Sequence, residues 1–310
     1  MMSADELKSQ TPIRIGLAGI DNTRVVAFTK LLHDEAGTEA IGGARLAAAW
    51  PGQPSPDFAM SYARYDRFLR ELRDRYGVPM LGSLDEAAER VDAWMLEAVD
   101  GRGREELFGR LVAYGKPIFV DKPFALDSRA AARMMHLAEL AGVPVLSCSA
   151  LRYAGRLIET LDDSALGPIE GADFHGPMEL EPTQPGYFWY GIHTAEMLFR
   201  TMGTRCVAVT AKRTETSDIV VGEWEDGRIG TARGFRTGND RFGGVVHRAQ
   251  GSIRMDDMSA GVPYLATLMK EIVAFFRSGS SPIKPEETLA IIRFLEAANE
   301  SAESGRRVVL

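Results

Sequence analysis

Asp121, Lys122 and Pro123 follow an apolar run, IFV, without a spacer. Proline has no N–H, fixes its own φ and biases the residue before it towards an extended conformation. The run therefore reads as a strand that stops at a rigid corner, with two charged side chains at its carboxyl end. In an open α/β sheet that end is where ligands bind. Taken alone, three residues fit a surface ion pair equally well, and such pairs contribute little. A second group lies in ADFHGPMELEP, where Asp173, His175, Glu179 and Glu181 share one parity. If the segment stays extended, period two puts them on one sheet face. His175, Glu179 and His193 would then make a ligand set for a divalent metal. Pro177 interrupts the alternation, and polar residues on one face are more often simply solvated. A third group is GLAGIDNTR, with Gly16 and Gly19 directly after an apolar strand-like run. It matches part of the glycine pattern that lets a backbone approach a dinucleotide.

The elements that must carry these groups alternate in the first half of the chain. Strand-like runs at 13–20, 44–50, 78–81, 92–99, 116–123 and 143–150 are separated by helix-like runs at 22–36, 57–77, 83–91, 104–115 and 128–142. Ser83 followed by Glu86 gives a capping-box start to one of them. This βαβ rhythm predicts a doubly wound parallel sheet. The second half carries alternating runs at 169–176, 206–214, 218–235 and 242–255, with Asp226-Gly227 as a hairpin turn inside one of them. It predicts a mostly antiparallel open sheet, covered by helices at 193–203, 264–279 and 286–305. The expected domains are 1–150 and 151–310.

The chain has 310 residues, 45% hydrophobic and 25% charged, as expected of a globular protein in water. Its net charge of −7 argues against nucleic acid or an anionic membrane as partner. The polar, acidic opening does not read as a secretory signal, and no apolar run is long enough to cross a bilayer. Cys148 and Cys206, without CxxC spacing, read as buried thiols in a reducing compartment. A cytoplasmic enzyme is the expectation.

The order of the motifs resembles the Gfo/Idh/MocA family, named for glucose–fructose oxidoreductase, inositol dehydrogenase and a rhizopine-catabolism protein. The likeness runs through GxxG after the first strand, GKPIFVDKPFA, GIHTAEMLFRTMG and the C-terminal ESAESGRRVVL, and so spans nearly the whole chain. It implies a Rossmann-like N-terminal domain and an α/β domain that binds substrate and assembles as a homodimer or homotetramer. It also implies NAD or NADP as cofactor, and a sugar, polyol or related hydroxyl or ketone compound as substrate. Asp121-Lys122-Pro123 stands for the family's E-K-P, and His193 matches the histidine of its G-x-H motif. Lys122 would then favour negative charge on the reacting oxygen, and His193 would take or give the proton. On the cofactor side the resemblance points to Gly16, Gly19, Ile20, Asn22, Trp50, Glu97, Asp121 and Lys122. On the substrate side it points to Tyr153, His175, Tyr187, Trp189, Tyr190 and His193.

The pattern also breaks. Asp21 stands where the chain should pass nearest a pyrophosphate. There it either opposes the phosphate charge or, like Asn22, caps the next helix. Trp50 stands where an acid usually reads the adenosine ribose. Glu97 and Asp100 add negative charge where the family has a Thr-Pro-like turn. Trp189 replaces the aspartate one turn before the histidine, so the usual carboxylate partner of His193 is missing. Tyr187, Phe188, Trp189 and Tyr190 read equally as a stacking wall and as core. A metal-assisted lyase, isomerase or hydrolase on a sugar derivative, or a ligand-binding protein without catalysis, are the competing expectations.

Overall fold

The computed structural model describes residues 11–33, 40–259 and 263–310. The N-terminal decapeptide and residues 34–36 of the first expected helix lie outside the described residues. Contacts divide the chain into two compact units rather than at a single cut near residue 150. One comprises residues 1–121, 133–147 and 268–282; the other comprises 122–132, 148–267 and 283–310.

The first unit is built on β1 (Ile13–Ala18), β2 (Ala44–Trp50), β3 (Ala93–Leu96), β4 (Ile118–Asp121) and β5 (Val145–Cys148), in the sheet order β2-β1-β3-β4-β5. The β1–β2, β1–β3 and β3–β4 pairings are parallel. Their connections include α1 (Thr23–His33), α2 (Ala59–Arg70), α3 (Leu84–Ala88), α4 (Arg104–Val112) and α5 (Ser128–Leu140). Strands buried on both faces need apolar residues at every position, and all four residues of β3 and of β4 are buried. The edge of Phe28 on α1 meets Phe119 of β4, ring centroids 6.5 Å apart. The order reverses between β1 and β3, so the carboxyl ends of these two strands flank the switch point at which such sheets bind ligands.

Two local expectations need adjustment. The run at 78–81 makes one bridge, Met80 to Ala49, rather than a strand. Pro79 has no N–H for a ladder, and its carbonyl accepts from Ala49 N–H at 2.9 Å. The capping box of α3 is displaced: Ser83 Oγ accepts from Glu86 N–H, while Glu86 Oε2 accepts from Gly82 N–H, each at 3.2 Å.

The second unit carries a seven-stranded sheet in the order β11-β10-β6-β9-β8-β7-β12. The strands are β6 (Ile169–Pro177), β7 (Cys206–Arg213), β8 (Ser217–Trp224), β9 (Ile229–Phe235), β10 (Gly243–Arg248), β11 (Gly251–Met255) and β12 (Val308–Val309). Only β6 and β9 pair in parallel; the other neighbours are antiparallel. Alternation along β8 and β9 buries every second residue. The buried face packs on α7 (Gly191–Met202) and α9 (Pro285–Ser304), where Phe199 meets Trp224 and Phe294 at 5.7 and 5.4 Å. A further helix of this unit is α6 (Gly155–Asp162); α8 (Tyr264–Ser278), expected to cover this sheet, belongs mostly to the first unit, which takes residues 268–282. Both cysteines are buried thiols, and burial pushes Cys206 up to about 11.

Gly19 and Gly227 share a left-handed φ, +86° and +85°, but differ in surroundings. A Cβ on Gly19 would stand 2.6 Å from the Ala98 backbone nitrogen, whereas one on Gly227, in the β8–β9 turn, would meet nothing within 4 Å. Gly227→Ala should therefore cost about 1 kcal/mol of strain alone. Gly19→Ala adds overpacking against backbone and should cost about 3 kcal/mol or more. Denaturant melts of the two variants should rank in that order; equal losses would show that Gly19 is not held by its contact with Ala98.

Candidate active site

In the first unit the acids that follow β1, β3 and β4 are buried and engaged. Asp21 is turned away from the loop surface: one oxygen accepts from Ser61 Oγ–H at 2.5 Å and the other from Val99 N–H at 3.0 Å. The helix cap is Asn22, whose Oδ1 accepts from Arg24 N–H at 3.1 Å. Asn22 Nδ2–H donates to Asp121 Oδ2 at 2.6 Å and to Glu97 Oε2 at 3.3 Å, and Arg24 pairs with Asp121 Oδ1. Glu97 is fully buried, and its Oε1 has no hydrogen-bond partner among the described residues. Burial first, and then the Asp121 charge, push the Glu97 carboxyl well above its ordinary value; Arg24 and Arg104 oppose this.

Gly16 lies inside β1, and the close approach it serves is to the Trp94 ring, 2.8 Å from where a Cβ would stand. Ile20 is wholly buried. Gly19, Asp21, Trp50, Ser55, Asp100 and Arg110 line part of a cavity of about 210 Å³. The Arg110 guanidinium lies 5.4 Å from the Trp50 ring centroid. Asp100 is occupied by Ser55 Oγ–H at 2.6 Å and by Arg102.

In the second unit Lys122, joined to Pro123 by a cis peptide bond, donates from Nζ to the Trp189 carbonyl at 3.3 Å. The same ammonium lies 5.2 Å from the Trp189 ring and 5.7 Å from the Tyr190 ring. The Tyr190 ring also meets those of His193 and Trp189, ring centroids 5.6 and 6.0 Å apart. An ammonium and an imidazole thus both lie against one half-buried tyrosine. His193, in the first turn of α7, is 8% exposed, and its Nδ1 lies 2.6 Å from Ser149 Oγ. Phe242 packs edge-on against the same ring at 5.5 Å. Behind it, Glu196 Oε1 accepts from Ser149 N–H at 3.0 Å and Oε2 from Arg152 at 2.8 Å; Arg152 also pairs with Glu287. Burial raises the Glu196 carboxyl and the Arg152 charge opposes the rise.

The aromatic run divides. Tyr187 is 1% exposed, donates to Asp218 Oδ1 at 2.9 Å and lies 4.6 Å beneath the Arg213 guanidinium. Burial, with the Asp218 charge, pushes its hydroxyl up to about 12. Tyr187 and Phe188 are core; Trp189 and Tyr190 meet Lys122. Tyr153, on the turn after β5, is also buried.

The metal expectation is corrected. Among the described residues no three His, Cys, Asp or Glu side chains converge as metal ligands. The strand ends at Pro177, so Glu179 loses its parity with His175. Asp173 is instead taken by Thr231 and by His247 Nε2 at 2.8 Å, on the exposed sheet face. His175 lies edge-on to Phe235, and burial, then Arg254, lower its pKa.

No protein-family model and no curated protein matches the chain. Solved structures do. It is similar over 97% of both chains to GenD2 of gentamicin A biosynthesis, solved with NAD, at 19% identity and a TM-score of 0.79. An oxidoreductase of Agrobacterium radiobacter, solved with NAD+, L-tartaric acid and magnesium, aligns over 96% of this chain and 98% of its own at 18% identity and a TM-score of 0.78. The apo scyllo-inositol dehydrogenase of Lactobacillus casei aligns over 97% and 98% at 16% identity and a TM-score of 0.78. The chain shares the fold of these solved structures.

Sequence reasoning missed Ser149, Arg152 and Glu196. Ser149 follows β5, and the strand-end rule that singled out Lys122 would have found it. Glu196 is three residues after His193, on the same helical face.

A carboxyl raised in the folded state binds more protons there than when unfolded. Its ionisation therefore lowers stability as pH rises from the unfolded value through the folded one. Glu97→Gln should match the wild type below about pH 4 and become progressively more stable than it towards neutral pH. Thermal melts across that range measure the difference; a pH-independent difference would mean that Glu97 ionises freely in the folded protein.

Proposed function

We propose that the chain is a Gfo/Idh/MocA-type oxidoreductase that uses NAD or NADP on a sugar, polyol or related hydroxyl or ketone compound. The observation that carries this reading is that the Lys122 ammonium and the His193 imidazole both lie against the Tyr190 ring, 5.7 and 5.6 Å from its centroid. Hydride reaching a carbonyl carbon leaves negative charge on its oxygen, and a cation together with a hydrogen-bonding ring nitrogen suits that oxygen. Lys122 offers a full positive charge, desolvated against aromatic faces, to an oxygen gaining negative charge. His193 offers a ring nitrogen fixed in direction by Ser149. The nicotinamide dinucleotide, when bound, supplies or accepts the hydride.

The first unit suits such a cofactor. Gly19 and Trp50 border the cavity beside the switch point. The Asp21 carboxylate, which lines that cavity, accepts from Ser61 and Val99 and so has donors of its own within the unit. Asn22, Glu97 and Asp121 are the further cofactor-side residues of this reading, and Trp189, Tyr190 and His175 the substrate-side ones. Calorimetric titration with NADH and NADPH tests the cofactor; no binding of either would overturn the reading.

Lys122→Ala should lower turnover about 100-fold, or about 3 kcal/mol of transition-state stabilisation, with the fold intact by circular dichroism. Wild-type turnover in that variant would remove Lys122 from the chemistry.

Assembly follows the open face of the second sheet. Ile219 and Val221 of β8, Phe235 of β9 and Val245 of β10 alternate with buried neighbours yet stay half-exposed. We assign this face to a homodimer or homotetramer contact. Light scattering at micromolar concentration should give at least twice the chain mass, and a monomer would exclude it.

A further inference from the structure

We propose that Ser149 holds His193 as the neutral imidazole protonated on Nε2, so that His193 meets the ligand oxygen as a hydrogen-bond donor. The inference follows from counting protons and lone pairs in a buried place. Ser149 is 0% exposed. Its backbone N–H is committed to Glu196 Oε1 at 3.0 Å. Its hydroxyl has one proton to donate and two lone pairs to receive. Leu151 N–H donates to Oγ at 3.2 Å and fills one lone pair. The other contact of Oγ is His193 Nδ1 at 2.6 Å.

Two arrangements satisfy that distance. If Nδ1 is unprotonated, Oγ–H donates to it, Leu151 N–H donates to Oγ, and every proton has an acceptor. If Nδ1 carries the proton, it fills the second lone pair, and the serine proton is left in the protein interior. Among the described residues, Nδ1 is the one acceptor bonded to that hydroxyl. A buried donor without a partner is disfavoured by enough to bias the tautomers about tenfold or more. The same count disfavours the imidazolium, in which Nδ1 is also protonated.

A carboxylate at this place would do the reverse. It only accepts, so it would hold the proton on Nδ1 and leave Nε2 as a base. Trp189 occupies the position one turn before His193 and cannot supply one. The chain therefore has a donor-acceptor hydroxyl behind its histidine and a donor imidazole in front. Lys122 also only donates, so both groups suit an oxygen that accepts. Glu196, Arg152 and Glu287 keep Ser149 in register with α7 through the Ser149 backbone. They act on the imidazole through Ser149, as positioning residues.

The role towards a ligand rests on the oxidoreductase reading, whereas the tautomer does not. The test is a long-range 1H–15N correlation spectrum of the full chain labelled at histidine, near neutral pH, without substrate or cofactor. His193 is assigned by the signals lost in His193→Gln. The expected wild-type pattern has Nδ1 at the shift of an unprotonated ring nitrogen and Nε2 at that of a protonated one. In Ser149→Ala the two shifts should move towards each other as the tautomers mix. A protonated Nδ1 in the wild type overturns the proposal, as does a folded Ser149→Ala protein with unchanged shifts. If Ser149→Ala does not fold, the wild-type spectrum decides alone. Absent NADH and NADPH binding would refute the oxidoreductase reading and leave this result standing.

Discussion

A carboxylate shut away from water must find its donors inside the protein, and the first unit is arranged around that requirement. Asp21, Glu97 and Asp121 leave the carboxyl ends of three neighbouring parallel strands. An unpaired buried charge is too costly to keep. The Asn22 amide bridges Glu97 and Asp121, Arg24 neutralises Asp121, and Ser61 with the Val99 amide takes Asp21. Glu97, with one oxygen unpartnered among the described residues, has its carboxyl pushed well above its ordinary value by burial and then by the Asp121 charge. This network lets a glycine-poor, acid-rich turn stand at the switch point with its buried carboxylates supplied with donors.

The second unit meets the same constraint with an ion chain. Arg152 lies between Glu196 and Glu287, its side chain 3% exposed. Glu196 serves twice, neutralising the guanidinium and receiving the Ser149 amide. The loop after β5 is thereby tied to α7 next to the turn that carries His193. A residue with no direct contact to the imidazole thus determines which atom lies behind it. Lys122 meets a backbone carbonyl and two aromatic faces.

The two polar networks differ in what they leave open. In the first unit the cavity by Gly19 is bordered by the Trp50 indole and the Arg110 guanidinium together with Asp21, Asp100 and Glu106, of which Asp21 and Asp100 already accept hydrogen bonds from within the unit. In the second, the groups around Tyr190 are donors. These are the properties asked of a site for a dinucleotide and an oxygen-bearing substrate, although each arises from satisfying buried polar atoms.

Periodicity made both sheets legible. Short apolar runs bounded by turn residues suit strands buried on both faces, as at β3 and the first three residues of β4, and strict alternation marked β8 and β9 with Asp226-Gly227 between them. Lys122 and His193 were legible as well, because strand ends and helix starts can be read from proline, glycine and hydrophobic spacing. The partners were not. The direction of Asp21, the anchoring of Tyr187 in the core and the hydroxyl behind His193 each depend on residues 31 to 78 positions away. Local pattern is set by the period of one helix or strand and so is written in consecutive residues. Hydrogen-bond partnership and desolvation depend on what folding brings to the same few ångströms, and only the tertiary structure decides that.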